Sequence, residues 1–134
     1  MDPQKEADFL ESTKNRLRYY GVTIPPGDTS RDDDIRFSIS ACSVRVCEFC
    51  NIDEIPEMIY PVFSDMCACD YLAGKLGAGQ MPLEDIVSIA QSIKVGDTQV
   101  SYGQIGSAET MLLNYMNNKA HNMSQFMAWR KIKW

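Results

Sequence analysis

The sequence predicts a mainly α-helical fold: a small bundle of about four helices with one β-hairpin inserted before the C-terminal helix, in the order ααα-ββ-α. Three observations predict it. Apolar residues recur at helical spacing in four segments, and clusters of Gly and Pro separate those segments. One further segment, "IKVGDTQVSY", is instead rich in β-branched residues around a turn sequence. With 134 residues, the chain is predicted to form a single domain over residues 1–134.

The first helix is predicted from Pro3 to Tyr20. Asp2 is suited to the N-cap, and Pro3 to the first helical position, where a missing N–H costs nothing. Gly21 ends the helix and begins a loop that holds two prolines and two glycines. The apolar stripe of this helix consists of Phe9, Leu10, Thr13, Leu17 and Tyr20.

The second helix is predicted between an N-cap at Ser30 or Asp32 and an end at Asn51. The acidic run at residues 32–34 suits the positive end of the helix dipole. One continuous apolar face about four turns long follows. It consists of Ile35, Ile39, Cys42, Val46, Phe49 and Cys50.

The third helix is predicted from Pro56 to about Ala73. Pro61 lies so near its start that it introduces a kink at most. A flexible stretch rich in Gly follows at residues 74–85. The predicted inner face consists of Ile59, Val62, Phe63, Met66, Cys69 or Asp70, and Ala73.

The spacing of apolar residues then changes to the period of β-strands. Val87–Val95 and Thr98–Tyr102 are predicted to be the two arms of a hairpin joined by the turn "VGDT". An isolated two-stranded hairpin is marginally stable in water. The helices, or a neighbouring chain, must therefore cover one of its faces.

The last helix is predicted to start at an N-cap at Ser107 and to run to Arg130, with Glu109 in its first turn. Four of the eight methionines lie in this segment. Methionine faces serve both as core filling and as contacts with another subunit, and both interpretations stay open. The apolar stripe consists of Leu112, Tyr115, Met116, Lys119, Met123, Phe126 and Met127.

The composition disfavours nucleic-acid binding and membrane insertion. The net charge is −5, and an acidic chain repels the phosphate backbone. No apolar run approaches the roughly 20 residues that span a bilayer. The first 20 residues also lack the apolar stretch of a secretion signal, so we expect the chain to reside in a cytoplasm after synthesis.

The five cysteines are Cys42, Cys47, Cys50, Cys67 and Cys69. Their odd number argues against a disulfide framework. A four-thiolate zinc site is the alternative, because "CEFC" is a C-x-x-C motif. Both cysteine groups lie inside helical patterns without knuckle turns, which favours free cysteines acting as small core hydrophobes. We therefore expect no metal and no cofactor.

Motifs for catalysis are not evident in the sequence. The one histidine, His121, lies in an amphipathic helix without a nucleophile motif beside it. "GKLGAGQ" lacks the GK[ST] of a phosphate-binding loop. The acidic pairs at 54/57 and 84/85 lie near prolines at predicted helix starts, where capping explains them. The sequence therefore predicts a protein that is not an enzyme.

Three strings resemble a known family in their order and spacing. They are "DDDIRFSISACSVRVCEFCNIDEIPEMIYPVFSDMCACDYL", "SIKVGDTQVSYG" and "LLNYMNNKAHNMSQFMAWRKIKW". They resemble the small head–tail connector (adaptor) proteins of long-tailed phages and prophages of Gram-positive bacteria, over about residues 30–134. In that family a helix ending in a Y/F-C-N-like stretch precedes an "IP", a "SIK-x-GDT" hairpin and a last helix with an R-x-x-x-W-like end. The cysteine content departs from the family.

The resemblance implies a virion structural protein. Such proteins form a ring of about a dozen copies beneath the portal protein of the DNA-filled head. The ring extends the DNA channel, lets DNA pass without specific binding, and offers a surface to the next neck or tail component. We therefore expect this chain at the head–tail interface of a virion after assembly in the host cytoplasm, with no membrane partner.

The resemblance also assigns roles to three groups of residues. A portal-docking tail is expected at Trp129, Arg130, Lys131, Ile132, Lys133 and Trp134, because Trp and Arg often carry interface energy and the cations suit an acidic rim. A hairpin contact between subunits is expected at Ile93, Lys94, Val95, Gly96, Asp97, Thr98, Val100 and Tyr102. An acidic surface toward the channel lumen is hypothesised at Asp32, Asp33 and Asp34.

Three alternatives remain open at this stage. The nearest is another phage neck protein, such as a stopper or a tail-completion protein, which tends to contain more strand. The second is a small helical DNA-binding regulator, which would need a basic recognition helix. The third is a zinc-binding module.

Overall fold

The computed structural model describes residues 3–93 and 105–129, and no strand occurs within these ranges. The mainly α-helical class predicted from the sequence is confirmed. The α-helices are α1 (Pro3–Tyr19), α2 (Asp32–Cys50), α3 (Tyr60–Gly77), α4 (Leu83–Ile93) and α5 (Ile105–His121). In the described part of the chain, the 3₁₀ helix Glu57–Ile59 precedes α3 and the 3₁₀ helix Met123–Trp129 follows α5.

Helix α3 is the central element, and α1, α2 and α5 pack around it. The side chains of Phe63, Met66 and Leu72 on its inner face are fully buried. Phe9 of α1 meets Phe63 edge to face, with ring centroids 5.0 Å apart. All five residues predicted for the α1 stripe are buried. The predicted inner face of α3 is buried except for Val62, which is exposed, and Asp70, which is half-buried.

The bounds of α2 agree with the sequence prediction at one end and differ at the other. Asn51 adopts the left-handed conformation, with φ 56°, and its N–H bonds the carbonyls of Cys47 and Glu48. The predicted cap at Ser30 or Asp32 is wrong: Arg31 occupies the N-cap position and makes no side-chain capping bond. Asp32 is the first helical residue, and its carboxylate pairs with a lysine of α1 instead.

The first arm of the predicted hairpin, Val87–Val95, is wrong over residues 87–93, which lie in α4, and residues 94–95 lie outside the described ranges. The N–H groups of Asp85 and Ile86 bond the carbonyl of Pro82 and so begin the helix. Ile86 and Ile89 lie three residues apart and are both buried, which is a helical spacing. The apolar period therefore outweighs the strand preference of β-branched residues. The second arm, Thr98–Tyr102, lies outside the described residues.

The segment predicted as one last helix forms two elements in the structure, α5 and a 3₁₀ helix. Helix α5 begins before Ser107 and ends at His121, and the chain continues as a 3₁₀ helix to Trp129. Phe126 is fully buried, and the thiol of Cys50 in α2 lies 3.6 Å from its carbonyl oxygen. The C-terminal 3₁₀ helix therefore packs on α2, with Phe126 buried at that contact.

Candidate functional site

The structure describes little of the predicted docking tail and hairpin contact. Trp129 is the last residue of the C-terminal 3₁₀ helix, and residues 130–134 lie outside the described ranges. Ile93 ends α4, and residues 94–102 also lie outside those ranges. Both sites therefore remain predictions from sequence.

The three aspartates at the start of α2 do not share one surface. Asp32 is buried, and its carboxylate lies 2.5 Å from the ammonium of Lys14. The carboxylate of Asp34 lies 2.8 Å from the ammonium of Lys75, across to α3. Asp33 has a fully exposed side chain, 3.3 Å from Arg36 on the same helix. Of the residues predicted to face a lumen, only Asp33 and Asp34 therefore present carboxylates at the surface.

A groove of about 730 Å³ lies between α1, the start of α3 and the C-terminal elements. We call it the α1–α3 groove. Apolar parts of Tyr19, Tyr60, Pro61 and Val62 line it, together with the charged side chains of Arg16, Asp65 and Lys119. Ser12, Asn15, Ser64 and Gln125 complete the lining. The groove therefore combines aromatic and aliphatic surface with two cations and one carboxylate.

Asp65 is the centre of the polar contacts in this groove. Its Oδ1 accepts hydrogen bonds from the hydroxyl of Tyr20, at 2.6 Å, and from Nε of Arg16, at 2.7 Å. Its Oδ2 lies 3.1 Å from Nζ of Lys119. Lys119 also donates to the hydroxyl of Tyr20, at 3.0 Å. The network joins α1, α3 and α5, so it fixes the helices that form the groove.

The pKa values of these groups follow from their surroundings. Burial by itself would raise the pKa of Asp65, but hydrogen bonds from Tyr20, Arg16 and Lys119 lower it. Burial and the bond to Asp65 both raise the pKa of Tyr20 far above its ordinary value. Burial would lower the pKa of Lys119, yet the contact with Asp65 raises it. Asp65 is therefore charged and the phenol protonated at neutral pH.

A second charged pair joins α2 to α3 and α5. Nη2 of Arg45 lies 2.7 Å from the carboxylate of Asp70, and its Nη1 donates to the carbonyl of Ala120, at 3.0 Å. Breaking a partly buried pair of this kind leaves the other charge without its partner. This pair is a structural tie between helices.

The five cysteines are free thiols, and four of them are buried in the core. Their predicted role as small core hydrophobes is confirmed for Cys42, Cys50, Cys67 and Cys69, while Cys47 is half-buried. Burial raises the pKa of Cys69 to about 11 and that of Cys67 well above its ordinary value. Within residues 3–93 and 105–129, no group of three or more His, Cys, Asp or Glu side chains could hold a metal ion.

A smaller pocket of about 200 Å³ lies beside the α2–α3 connection. Phe9, Ile55 and Tyr60 form its apolar part, and Lys5 pairs with Glu54 at its rim, at 3.5 Å. His121 lies elsewhere: its side chain is exposed, and Nδ1 is 3.0 Å from the carbonyl oxygen of Asn117 on its own helix.

Neither the groove nor its centre at Asp65 was predicted from the sequence. One signal was present: Lys119 interrupts the predicted apolar stripe of the last helix, and a cation on an inner face needs an acidic partner. The partner lies 54 positions earlier in the chain, so the sequence alone does not identify it.

Comparisons with known proteins give no family for this chain. No family, no curated protein and no solved structure matches it. Among the described residues, no helix is long and apolar enough to cross a bilayer.

Proposed function

We propose that this chain is a head–tail connector of a long-tailed phage or prophage and that it acts without catalysis. Copies of it form a ring beneath the portal, extend the DNA channel and join the head to the next neck or tail component. The support for this class of protein is the order of the three sequence strings that resemble the connector family, together with the mainly helical fold.

The observation that carries the proposal is the distribution of charged and apolar side chains. Charged groups are used within the chain to tie helices together, as in the Asp65 network and the Arg45–Asp70 pair. Large apolar side chains are also exposed, including Phe37, Val44 and Met58. A chain with this distribution is suited to burying apolar surface against other proteins.

The passage of DNA fits the charge of the chain. A net charge of −5 disfavours tight contact with phosphates, and the exposed carboxylates of Asp33 and Asp34 add to this if they face the lumen. The basic residues 130, 131 and 133 are instead gathered beside two tryptophans, a chemistry suited to an acidic protein surface.

Removal of residues 129–134 tests the docking tail. We expect the shortened chain to keep the helical circular dichroism of the full chain and to lose binding to the portal protein of the same phage, because both tryptophan anchors are gone. Binding is measured by co-sedimentation with purified portal.

Two matched variants separate the apolar from the cationic contribution. One replaces Trp129 and Trp134 by Ser, and the other replaces Arg130, Lys131 and Lys133 by Ser. We expect the first to abolish binding and the second to weaken it most at low salt, where charge pairs are screened least. A shortened chain that binds the portal like the full chain contradicts the role of the tail, and one that unfolds shows that the tail packs on its own helices.

A further inference from the structure

Helix α2 carries a row of exposed side chains on the side opposite its buried face. The row follows the helical spacing 33, 37, 40, 44, 48, roughly half a turn around the helix from the buried residues at about 100° per residue. Phe37 is 74% exposed and Val44 is 55% exposed. We call this the α2 outer row: Asp33, Phe37, Ser40, Val44 and Glu48.

The α1–α3 groove lies on the other side of α1 from α2. Lys14 marks the side of α1 that faces α2, because it pairs with Asp32. Ser12 and Tyr19, which line the groove, lie roughly 150° around α1 from Lys14 at about 100° per residue. The outer row and the groove therefore cannot meet within one copy of the chain.

The two surfaces are complementary in chemistry. The row offers an aromatic ring and a valine between the carboxylates of Glu48 and Asp33, and the fully exposed Asp33 also lies 3.3 Å from Arg36. The groove offers Tyr19 and Val62 beside two cations that share one carboxylate. The cations of the groove, Arg16 and Lys119, keep 36% of their side-chain surfaces exposed. They can therefore take a further acidic partner without leaving Asp65.

We propose that copies of this chain associate head to tail, with the α2 outer row of one copy seated in the α1–α3 groove of the next. Phe37 and Val44 pack on Tyr19 and Val62, and the carboxylate of Asp33 approaches Arg16 and Lys119. Because the two surfaces differ, the contact is heterologous, as the closure of a ring requires. The inference rests on the proposed ring and names the surfaces through which its subunits meet.

Two single variants and a control test the contact by sedimentation velocity over a concentration series up to roughly 1 mM. Phe37→Glu removes the anchor of the row, and Val62→Glu places a carboxylate in the groove. We expect each to weaken association about tenfold or more, since each loses a central apolar contact. Met111→Glu, which alters an exposed apolar residue of neither surface, is expected to associate like the wild type.

A mixture of the two variants gives the sharper result. Phe37→Glu retains an intact groove and Val62→Glu retains an intact row, so together they form one productive contact. We expect each variant alone to associate about tenfold or more weakly than the wild type, and the equimolar mixture to form a dimer with the wild-type affinity and to stop there. This pattern distinguishes a head-to-tail contact from any symmetric one.

Four outcomes would overturn the inference. The first is a wild type that stays monomeric over the whole series, and the second is a pair of variants that associate like the wild type. The third is a mixture that stays monomeric. The last is a Phe37→Glu monomer whose melting temperature is clearly lower than that of the wild type. The last would mean that the chain's own residues cover the row. Rings that persist in both variants would reject this contact and leave the proposed function standing. Head-to-tail association by a chain that is absent from virions would reject the proposed function and leave this contact standing.

Discussion

Asp65 shows how one carboxylate can organise a surface. Its two oxygens receive the guanidinium of Arg16 in α1, the phenol of Tyr20 directly after α1 and the ammonium of Lys119 in α5. A carboxylate with several donors stays charged in spite of partial burial, because hydrogen bonds to the charged form offset desolvation. Tyr20 is almost fully buried beside it, so the network also holds the last turn of α1 on the core.

Asp65→Asn is expected to lower the free energy of unfolding at neutral pH by about 2 kcal/mol, because Arg16 and Lys119 lose the charge that balances them. Urea denaturation followed by circular dichroism measures this. Asp53→Asn, at an exposed position, is the control and is expected to change little.

The pH dependence of the same variant follows from the lowered pKa. A carboxylate whose pKa is lower in the folded state stabilises the fold above its unfolded value, about 3.9, and this contribution is lost as the pH falls through the folded value. The difference between wild type and Asp65→Asn should therefore be full at pH 6 and shrink progressively below about pH 4. A difference that is constant from pH 7 to pH 2 would mean that the charge of Asp65 contributes nothing.

At the residue scale, the sequence predicted burial better than polar contacts. Burial follows from the period of apolar residues, so the α1 stripe and four cysteines were predicted correctly. The partners of Lys14, Arg16 and Lys119 could not be predicted, because ion pairs between helices depend on packing that one sequence does not specify.

At the scale of elements, the contact between the α1–α2 loop and α4 depends on Gly21. Its φ is +104°, and a Cβ there would lie 3.2 Å from backbone atoms of Ser88. Gly74, in contrast, lies inside α3 with open space where a Cβ would be. Substitution by Ala is therefore expected to change the free energy of unfolding in opposite directions at these two glycines.

Gly21→Ala is expected to lower the free energy of unfolding by about 1–3 kcal/mol, through backbone strain and the contact with Ser88. Gly74→Ala is expected to raise it by about 0.5–1 kcal/mol, since Ala loses less conformational entropy in a helix. Gly27→Ala, at φ +81° with no atom within 4 Å, isolates the strain and should cost less than Gly21→Ala. Thermal and urea unfolding measure all three, and equal losses at residues 21 and 27 would reject the contact with α4.

The elements that sequence predicted correctly are those whose apolar period and end signals agree. Helix α2 has a clean stripe and an Asn that ends it, so its C-terminal end was predicted to the residue. Helix α4 was predicted as a strand because its β-branched residues were weighted above the spacing of Ile86 and Ile89. The change from α5 to a 3₁₀ helix after His121 was not predicted, and the contact of Phe126 with α2 is a tertiary contact without a local sequence signal.

At the scale of the whole molecule, the candidate binding surface is formed by segments that are far apart in sequence. The groove combines residues 12–19, 60–65 and 119–125, and its shape depends on how α1, α3 and α5 pack. Sequence therefore predicted the class of fold but not this groove, and the docking tail expected at residues 129–134 stays a prediction. The proposed assembly uses both: the tail for the portal and the groove for the neighbouring copy.

The most direct test of the central claim is electron microscopy of the purified chain mixed with the portal protein of the same phage. We expect a coaxial ring of added density on one side of the portal, built from about as many copies as the portal has subunits. Portal particles without added density, or single copies bound without contact between neighbours, would contradict the account.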